Sequence, residues 1–145
     1  MQHVVRRSLL GLPRARLLQS QSLVLQHGRS LSTETGSVIE VTSDEDFKKE
    51  IASANDAGKL AVVDYSAAWC GPCKVIAPVY QRLSHQYPDA KFLKVDIDQP
   101  SIEKTVVDSN ISSVPTFAFF KGGKELARVT GADVVGLRDH LDKLA

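Results

Sequence analysis

The stretch "KLAVVDYSAAWCGPCKVIAPVY" (residues 59–80) contains both cysteines of this 145-residue chain, Cys70 and Cys73. A disulfide between them would enclose only Gly71 and Pro72. Because the stabilisation from a disulfide grows with the number of residues it encloses, such a bond would stabilise the fold little. We therefore expect the pair to be present for its reactivity or for metal binding. The alternative is that the two cysteines lie close together by chance.

The residues on either side of the pair predict a strand followed by a helix. Residues 59–67 form a nearly continuous apolar run, typical of a strand buried on both faces. Beyond Cys70, apolar residues recur at helical spacing, at Ile76, Val79, Tyr80, Leu83 and Tyr87. Cys70 is therefore predicted at a helix start, which offers unpaired backbone N–H groups and the positive end of the helix dipole.

This position predicts different roles for the two sulfurs. Cysteines at helix N-termini and in C-x-x-C pairs have pKa values lowered to about 3.5–7.5, so we expect Cys70 to be the attacking thiolate. Cys73 lies one helical turn further along and is expected to resolve the mixed disulfide. Pro72 suits the first turn, because its missing N–H has no helical partner there. Pro78 interrupts the helical pattern and predicts a bend.

Asp64 is the third candidate residue, because it interrupts a strand that otherwise reads as buried. Burial without a partner is costly for a carboxylate and raises its pKa toward neutrality. Such a group suits a proton acceptor, and we expect Asp64 to lie beneath the cysteines and take the proton of Cys73. The alternative is a carboxylate at a strand end that backbone groups satisfy.

Further strands and helices are predicted to alternate along the rest of the chain. "SVIEV" (37–41) and "AKFLKVDID" (90–98) read as strands, and residues 42–58 and 101–109 as helices, the first with Ser43 and Asp46 as a capping box. A hairpin is predicted over Thr116–Lys121 and Glu125–Thr130, turned by Gly122 and Gly123. A last helix follows Gly131, with Val134, Leu137, Leu141 and Leu144 on one face. The order βαβαβαββα predicts an α/β fold with a mostly parallel sheet and an antiparallel edge.

The first 33 residues differ in composition from the rest. They hold five arginines and no acidic residue, whereas residues 34–145 hold 13 Lys and Arg against 17 Asp and Glu, a net charge of −4. Arg-rich, Ser-rich leaders without acids are typical of organelle transit peptides, and the apolar run "LLGL" (9–12) is too short for a secretory signal. "GRSLST" (28–33) resembles the arginine-before-cleavage pattern of matrix processing. We predict a mitochondrial transit peptide and disordered linker over residues 1–37, import into the mitochondrial matrix, and one domain over 38–145, with a disordered basic tail as the alternative.

The composition also excludes several classes of partner. The acidic body argues against nucleic-acid binding, since the basic residues are concentrated in the leader. No stretch approaches the roughly 20 apolar residues of a membrane span. The chain has no Gly-rich phosphate loop, so we expect no bound nucleotide or other cofactor.

Several motifs occur in order along the body. They are "WCGPCK" (69–74) with an aspartate six residues before the first cysteine, "APVY" (77–80), "KVDID" (94–98), "SVPTFAFFKGGK" (113–124) and "VTGA" (129–132). Together they resemble the thioredoxin family over residues 38–145, and with the basic leader the likeness is nearest to the plant mitochondrial members. The resemblance implies the thioredoxin fold, a central mixed β-sheet, mostly parallel with an antiparallel C-terminal hairpin, flanked by helices.

The resemblance also implies roles for individual residues. Cys70 would be the nucleophile, Cys73 the resolving thiol, Asp64 the buried acid-base, and Lys94 the neighbour of that aspartate. Pro115 would form a cis bond facing the cysteines, and the backbone of Val114 and Pro115 would pair with an extended client segment. A shallow apolar docking surface would consist of Trp69, Gly71, Pro72, Val114, Pro115, Gly131 and Ala132. Two positions depart from the common family pattern, namely Ser66 in place of an aromatic residue and Ala68 in place of an acid.

The function implied is a protein-disulfide reductase that acts on disulfide-containing client proteins as a monomer. An NADPH-dependent thioredoxin reductase would re-reduce it. An oxidase or isomerase would need an oxidising compartment, which the leader argues against, and Gly71-Pro72 resembles the reducing branch. A metal or Fe–S module using Cys70 and Cys73 is the alternative from another class, although one C-x-x-C supplies only half of a tetrahedral site and the four histidines show no ligand spacing. The third possible function is that of a redox-inactive binding domain with the same fold.

Overall fold

Five strands and four α-helices alternate along residues 36–145, the part of the chain that the computed structural model describes. The strands are β1 (Val38–Val41), β2 (Ala61–Ser66), β3 (Lys91–Asp96), β4 (Thr116–Lys121) and β5 (Lys124–Thr130). The helices are α1 (Asp44–Asp56), α2 (Gly71–Gln86), α3 (Glu103–Asp108) and α4 (Val134–Leu144), with a 3₁₀ turn at Pro100–Ile102. The predicted order is confirmed. The predicted transit peptide lies outside the described residues, apart from its last two positions.

The five strands form one mixed sheet in the order β1-β3-β2-β4-β5. β1, β3 and β2 are parallel to one another, whereas β4 is antiparallel to β2 and β5 to β4. β2 is therefore central, and all six of its residues are buried, as its apolar sequence predicted. The sheet ends in the predicted hairpin, where Gly122 and Gly123 both have positive φ.

Helices cover both faces of the sheet, so each strand contributes alternate residues to two cores. On one face, α2 and α4 pack against strand residues that include Val62 and Phe92. On the other, α1 and α3 lie against residues that include Val63 and Leu93. Asp64 shares the α2 face with Val62, because the two are separated by two positions. The fold thus places the one acidic residue of β2 toward the helix that begins at the cysteines.

The helix ends follow the predicted signals with two differences. Ser43 Oγ accepts the Asp46 N–H at 3.1 Å at the start of α1. The reciprocal bond of a capping box is not made, because the Asp46 carboxylate accepts the Thr42 hydroxyl instead. In α4, Val134 is exposed rather than part of the buried stripe, because it is the first helical residue and precedes the turn that packs on the sheet. None of the helices in residues 36–145 has the length and apolar character to cross a membrane.

Candidate active site

The two cysteines lie at the N-terminus of α2, at the end of the loop that leaves β2. Cys70 is the N-cap residue, and its sulfur accepts the Cys73 N–H at 3.2 Å. The two sulfurs are joined in a disulfide, with Cα atoms 5.3 Å apart. Pro72 lies in the first helical turn, as predicted. The predicted junction between strand and helix is confirmed, and it points the Cys73 backbone N–H at the Cys70 sulfur.

Both sulfurs are recessed beneath a surface of exposed residues. Cys70 and Cys73 are 3% and 5% exposed, and they pack with Ala67, Ile97 and Val114. Gly71 and Pro72 beside them are exposed. A client disulfide must therefore come into close contact with the surrounding surface before its sulfur can reach Cys70.

Trp69 is the most prominent apolar group next to the cysteines. Its side chain is 67% exposed, and its indole Nε1–H donates to the Asp98 carboxylate at 2.7 Å. This bond orients the ring while leaving it accessible, so Trp69 does not pack in the core. Asp98 could not be predicted from the sequence, because no local pattern links residues 29 positions apart.

The loop before β4 forms another side of the site. The Val114–Pro115 peptide bond is cis, as the resemblance implied. Gly131 N–H donates to the Pro115 carbonyl at 2.7 Å, which ties the loop after β5 to the proline. Gly131 has φ +86°, a conformation that strongly favours glycine. The predicted docking residues Pro115 and Gly131 are thus in direct contact, and Ala132 next to them is exposed.

The backbone of Pro115 is partly engaged within the protein. Pro115 has no N–H, and its carbonyl accepts from Gly131. Pro115 is also buried, whereas Val114 is half-buried and packs against the cysteines. Val114 is therefore the more accessible of the two residues whose backbone is implied to pair with a client.

Asp64 is buried within β2, and one of its carboxyl oxygens has no hydrogen-bond partner among the described residues. It is 3% exposed, and within residues 36–145 the unpartnered oxygen is Oδ1. The alternative in which backbone groups satisfy this carboxylate therefore fails for Oδ1. Burial raises the pKa of Asp64 from 3.8 to about 7, although the positive charge of Lys94 acts in the opposite direction. Asp64 can consequently both accept and return a proton near neutral pH.

A cavity of about 700 Å³ is lined by both Asp64 and Cys73. Asp64, Cys73 and Lys94 all line it, which gives the carboxyl and the resolving sulfur a common space through which a proton can pass. The small side chains of Ser66 and Ala68, the two departures from the family pattern, lie in the same wall. The remaining lining residues are Glu40, Val41, Thr42, Ala67, Lys74, Ala77, Asp96, Asp98 and Gln99.

Lys94 lies beside Asp64 in the sheet, because the two residues are register partners of β3 and β2. Its ammonium makes its ion pair on the other side, with Glu40 Oε1 of β1 at 3.3 Å. Sequence reasoning gave no role to Glu40, which is 54 residues away and is brought close only by strand pairing.

The metal-binding alternative finds no support in the described residues. Residues 36–145 contain no cluster of three or more His, Cys, Asp or Glu side chains placed to hold a metal ion. His85 is exposed. His140 is half-buried, with Nδ1 2.8 Å from the Gly136 carbonyl and its ring against Phe119.

Comparison with known proteins agrees with this geometry. The thioredoxin family model matches residues 38–143. Over 123 residues the chain is 45% identical to mitochondrial thioredoxin O1 of Arabidopsis thaliana, a match that covers 83% of this chain and 63% of that protein. Mitochondrial thioredoxin O2 of the same plant is 40% identical, with 74% and 68% covered. The crystal structure of oxidized Arabidopsis thioredoxin O1 superposes with a TM-score of 0.68 at 45% identity, covering 74% of this chain and 96% of that one.

Proposed function

Because this chain belongs to the thioredoxin family, we propose that it is a protein-disulfide reductase whose electrons are carried by Cys70 and Cys73. The observation that carries the proposal is the disulfide at the N-terminus of α2, with a buried carboxyl of raised pKa lining the cavity next to it. This arrangement supplies a nucleophile, a resolving thiol and a proton acceptor within one site.

The reaction begins with the reduced dithiol. The Cys70 thiolate attacks one sulfur of a client disulfide, forms a mixed disulfide and releases the other client sulfur as a thiolate. Cys73 then passes its proton to Asp64, and its thiolate attacks the Cys70 sulfur. This step breaks the mixed disulfide, releases the second client thiolate and forms the Cys70–Cys73 disulfide seen in the structure. The client gains two electrons, and this protein loses two.

Client recognition is assigned to the surface around Cys70. Trp69, Gly71 and Pro72 lie on one side and are exposed, and the loop of Val114, Pro115, Gly131 and Ala132 lies on the other. An extended client segment pairs with the backbone of Val114, in the manner of strand addition. None of these seven residues carries a charged side chain, which suits a reductase with many clients.

Regeneration needs an external source of electrons. A thioredoxin reductase that draws them from NADPH returns two electrons to the Cys70–Cys73 disulfide. The protein works as a monomer, because one chain contains the whole site. It needs no bound nucleotide of its own.

The protein acts in mitochondria, and more narrowly in the matrix, after removal of the transit peptide within residues 1–37. The acid-free, Arg-rich leader supports this location, as do the names of the mitochondrial relatives. A fluorescent protein fused to residues 1–37 should accumulate in the matrix. A diffuse signal outside mitochondria would overturn the targeting proposal and leave the redox chemistry untouched.

An insulin-reduction assay tests the chemistry directly. The parent should reduce insulin catalytically with dithiothreitol as electron source, whereas Cys70→Ser should be inactive. Cys73→Ser should form mixed disulfides with clients but fail to release them, so gels run without reductant should show trapped adducts. Equal activity of Cys70→Ser and the parent would refute the dithiol mechanism.

A further inference from the structure

Three ionisable side chains form a row across the sheet beside the cysteines. Glu40 is the register partner of Lys94, and Lys94 is the register partner of Asp64. Side chains paired in this way lie on the same face of neighbouring strands. All three line the cavity that Cys73 also lines. In the sheet, Lys94 therefore stands between two residues that carry carboxyl groups.

Lys94 does not contact the two carboxyl groups equally. Its Nζ lies 3.3 Å from Glu40 Oε1, whereas Asp64 Oδ1 has no hydrogen-bond partner among the described residues. The side chains of Lys94 and Glu40 are 41% and 73% exposed, so their ion pair lies at the solvent side of the cavity. Asp64 lies at the buried end, at 3% exposure.

We propose that Glu40 is a positioning residue, which holds the Lys94 ammonium at the mouth of the cavity and so withholds it from Asp64. The inference rests on the proposed role of Asp64 in proton transfer. A lysine close to Asp64 would stabilise the carboxylate and make it a weaker base. By engaging the lysine, Glu40 keeps Asp64 able to take up a proton near neutral pH.

The other ionisable groups around Asp64 do not replace Lys94 in this role. From α2 come Cys73, Lys74 and Tyr80, whereas Asp96 is the last residue of β3 and Asp98 follows it. On β4 the register partner is Phe117, which carries no charge. Burial raises the pKa of Tyr80 well above its ordinary value, so it stays neutral. Within residues 36–145, Lys94 is the charged group that lowers the pKa of Asp64.

The direct test is an NMR titration of the Asp64 side-chain carboxyl carbon in the oxidised full-length protein. Neither sulfur titrates in that state, so the signal reports the carboxyl alone. In Glu40→Gln the midpoint should fall by about half a pH unit, because an exposed ion pair is worth less than one pKa unit. Glu103→Gln makes the same change of charge on an exposed residue of α3 and should leave the midpoint in place.

A double-mutant cycle separates positioning from a direct effect of the Glu40 charge. In a Lys94→Met background, Glu40→Gln should no longer move the Asp64 midpoint, because the lysine it positions is gone. An equal shift in that background would refute the proposal, as would a Glu40→Gln midpoint that matches Glu103→Gln.

The titration does not depend on reductase activity, so the inference and the proposed function can fail separately. If the pH profile of mixed-disulfide resolution in Glu40→Gln moves by the same half unit, both stand. If the carboxyl midpoint moves but the rate profile does not, positioning by Glu40 stands and the role of Asp64 in the reaction is wrong.

Discussion

At the scale of single residues, the site depends on reactive groups that are largely buried from water. The Cys70 sulfur accepts a backbone N–H at a helix start, and Asp64 is buried with an unpartnered oxygen. Burial raises the pKa of Asp64 to about 7. The residues themselves indicated Cys70, Cys73 and Asp64 as candidates, because a C-x-x-C after a buried strand and an acid within that strand are unusual on local grounds.

Other residues of the site could not be predicted in that way. Lys94 and the cis bond at Pro115 followed only from the resemblance, since a lysine in a strand is ordinarily solvated and an X–Pro bond is ordinarily trans. Neither the local sequence nor the family resemblance predicted Glu40 and Asp98 as residues of the site. Their contacts with Lys94 and Trp69 form only when strands distant in sequence are paired or a loop folds back.

Replacing Asp64 by Asn should slow resolution of the mixed disulfide by about 100-fold at pH 8, the lower end of what a general base contributes. The parent rate should fall as the pH drops through 7, where Asp64 becomes protonated, whereas Asp64→Asn should lack this step. Stopped-flow fluorescence with a preformed mixed disulfide measures the rate. An unchanged rate and pH profile would remove Asp64 from the mechanism.

At the scale of secondary-structure elements, side chains from one element fix the ends of another. Asp44 in the first turn of α1 accepts both the backbone N–H and the hydroxyl of Thr105 in α3. α3 has only six residues, too few to be stable by itself. The sequence predicted both helices but not this link, because it joins positions 61 residues apart.

Removing this acceptor should loosen α3 in a pH-dependent way. The hydrogen bond from Thr105 lowers the pKa of Asp44, so its contribution to stability is present above the ordinary aspartate pKa and is lost as the pH falls through the folded-state value. Asp44→Ala should therefore have a lower free energy of unfolding than the parent at pH 7. The difference should be smaller at pH 2–3, because a protonated Asp44 no longer gives the stabilisation that depends on its negative charge. Chemical denaturation at both pH values measures it, and Asp44→Asn, which keeps an acceptor oxygen, should lose less.

The β4–β5 hairpin depends on backbone conformation rather than on packing. Gly123 has φ +73°, and an added Cβ would meet no atom within 4 Å. Gly123→Ala should therefore destabilise the protein by about 1 kcal/mol through the left-handed backbone alone. Gly71→Ala is the matched control, because its Cβ also enters open space but its φ is not positive. Equal losses in the two variants would contradict the conformational explanation.

At the scale of the whole molecule, the sequence predicted the alternation of elements and the covering of both sheet faces. It did not dictate the strand order β1-β3-β2-β4-β5, which depends on pairings between segments far apart in the chain. That order places Asp64 in the central strand, between Lys94 and Phe117. The fold thus buries a carboxyl at its centre, and this should lower its stability when the carboxyl ionises.

Global stability should therefore fall as the pH rises. The pKa of Asp64 is raised from 3.8 to about 7 on folding, so the folded state binds the proton more tightly. Its stability contribution is complete below about pH 4 and is lost progressively up to about pH 7, a loss of roughly 4 kcal/mol over three pH units. Asp64→Asn removes this dependence, so the oxidised variant should be more stable than the parent at pH 8 by up to this amount. Equal unfolding free energies at pH 8 would contradict the burial of an ionising carboxyl.

The most direct test of the account is the pH dependence of Cys70 alkylation by iodoacetamide in the Cys73→Ser protein. A thiolate held at the start of α2 predicts a midpoint within the range of about 3.5–7.5 found for such cysteines. A midpoint near about 8.5, the value of a free cysteine, would show that the helix does not stabilise the anion and would contradict the proposed chemistry.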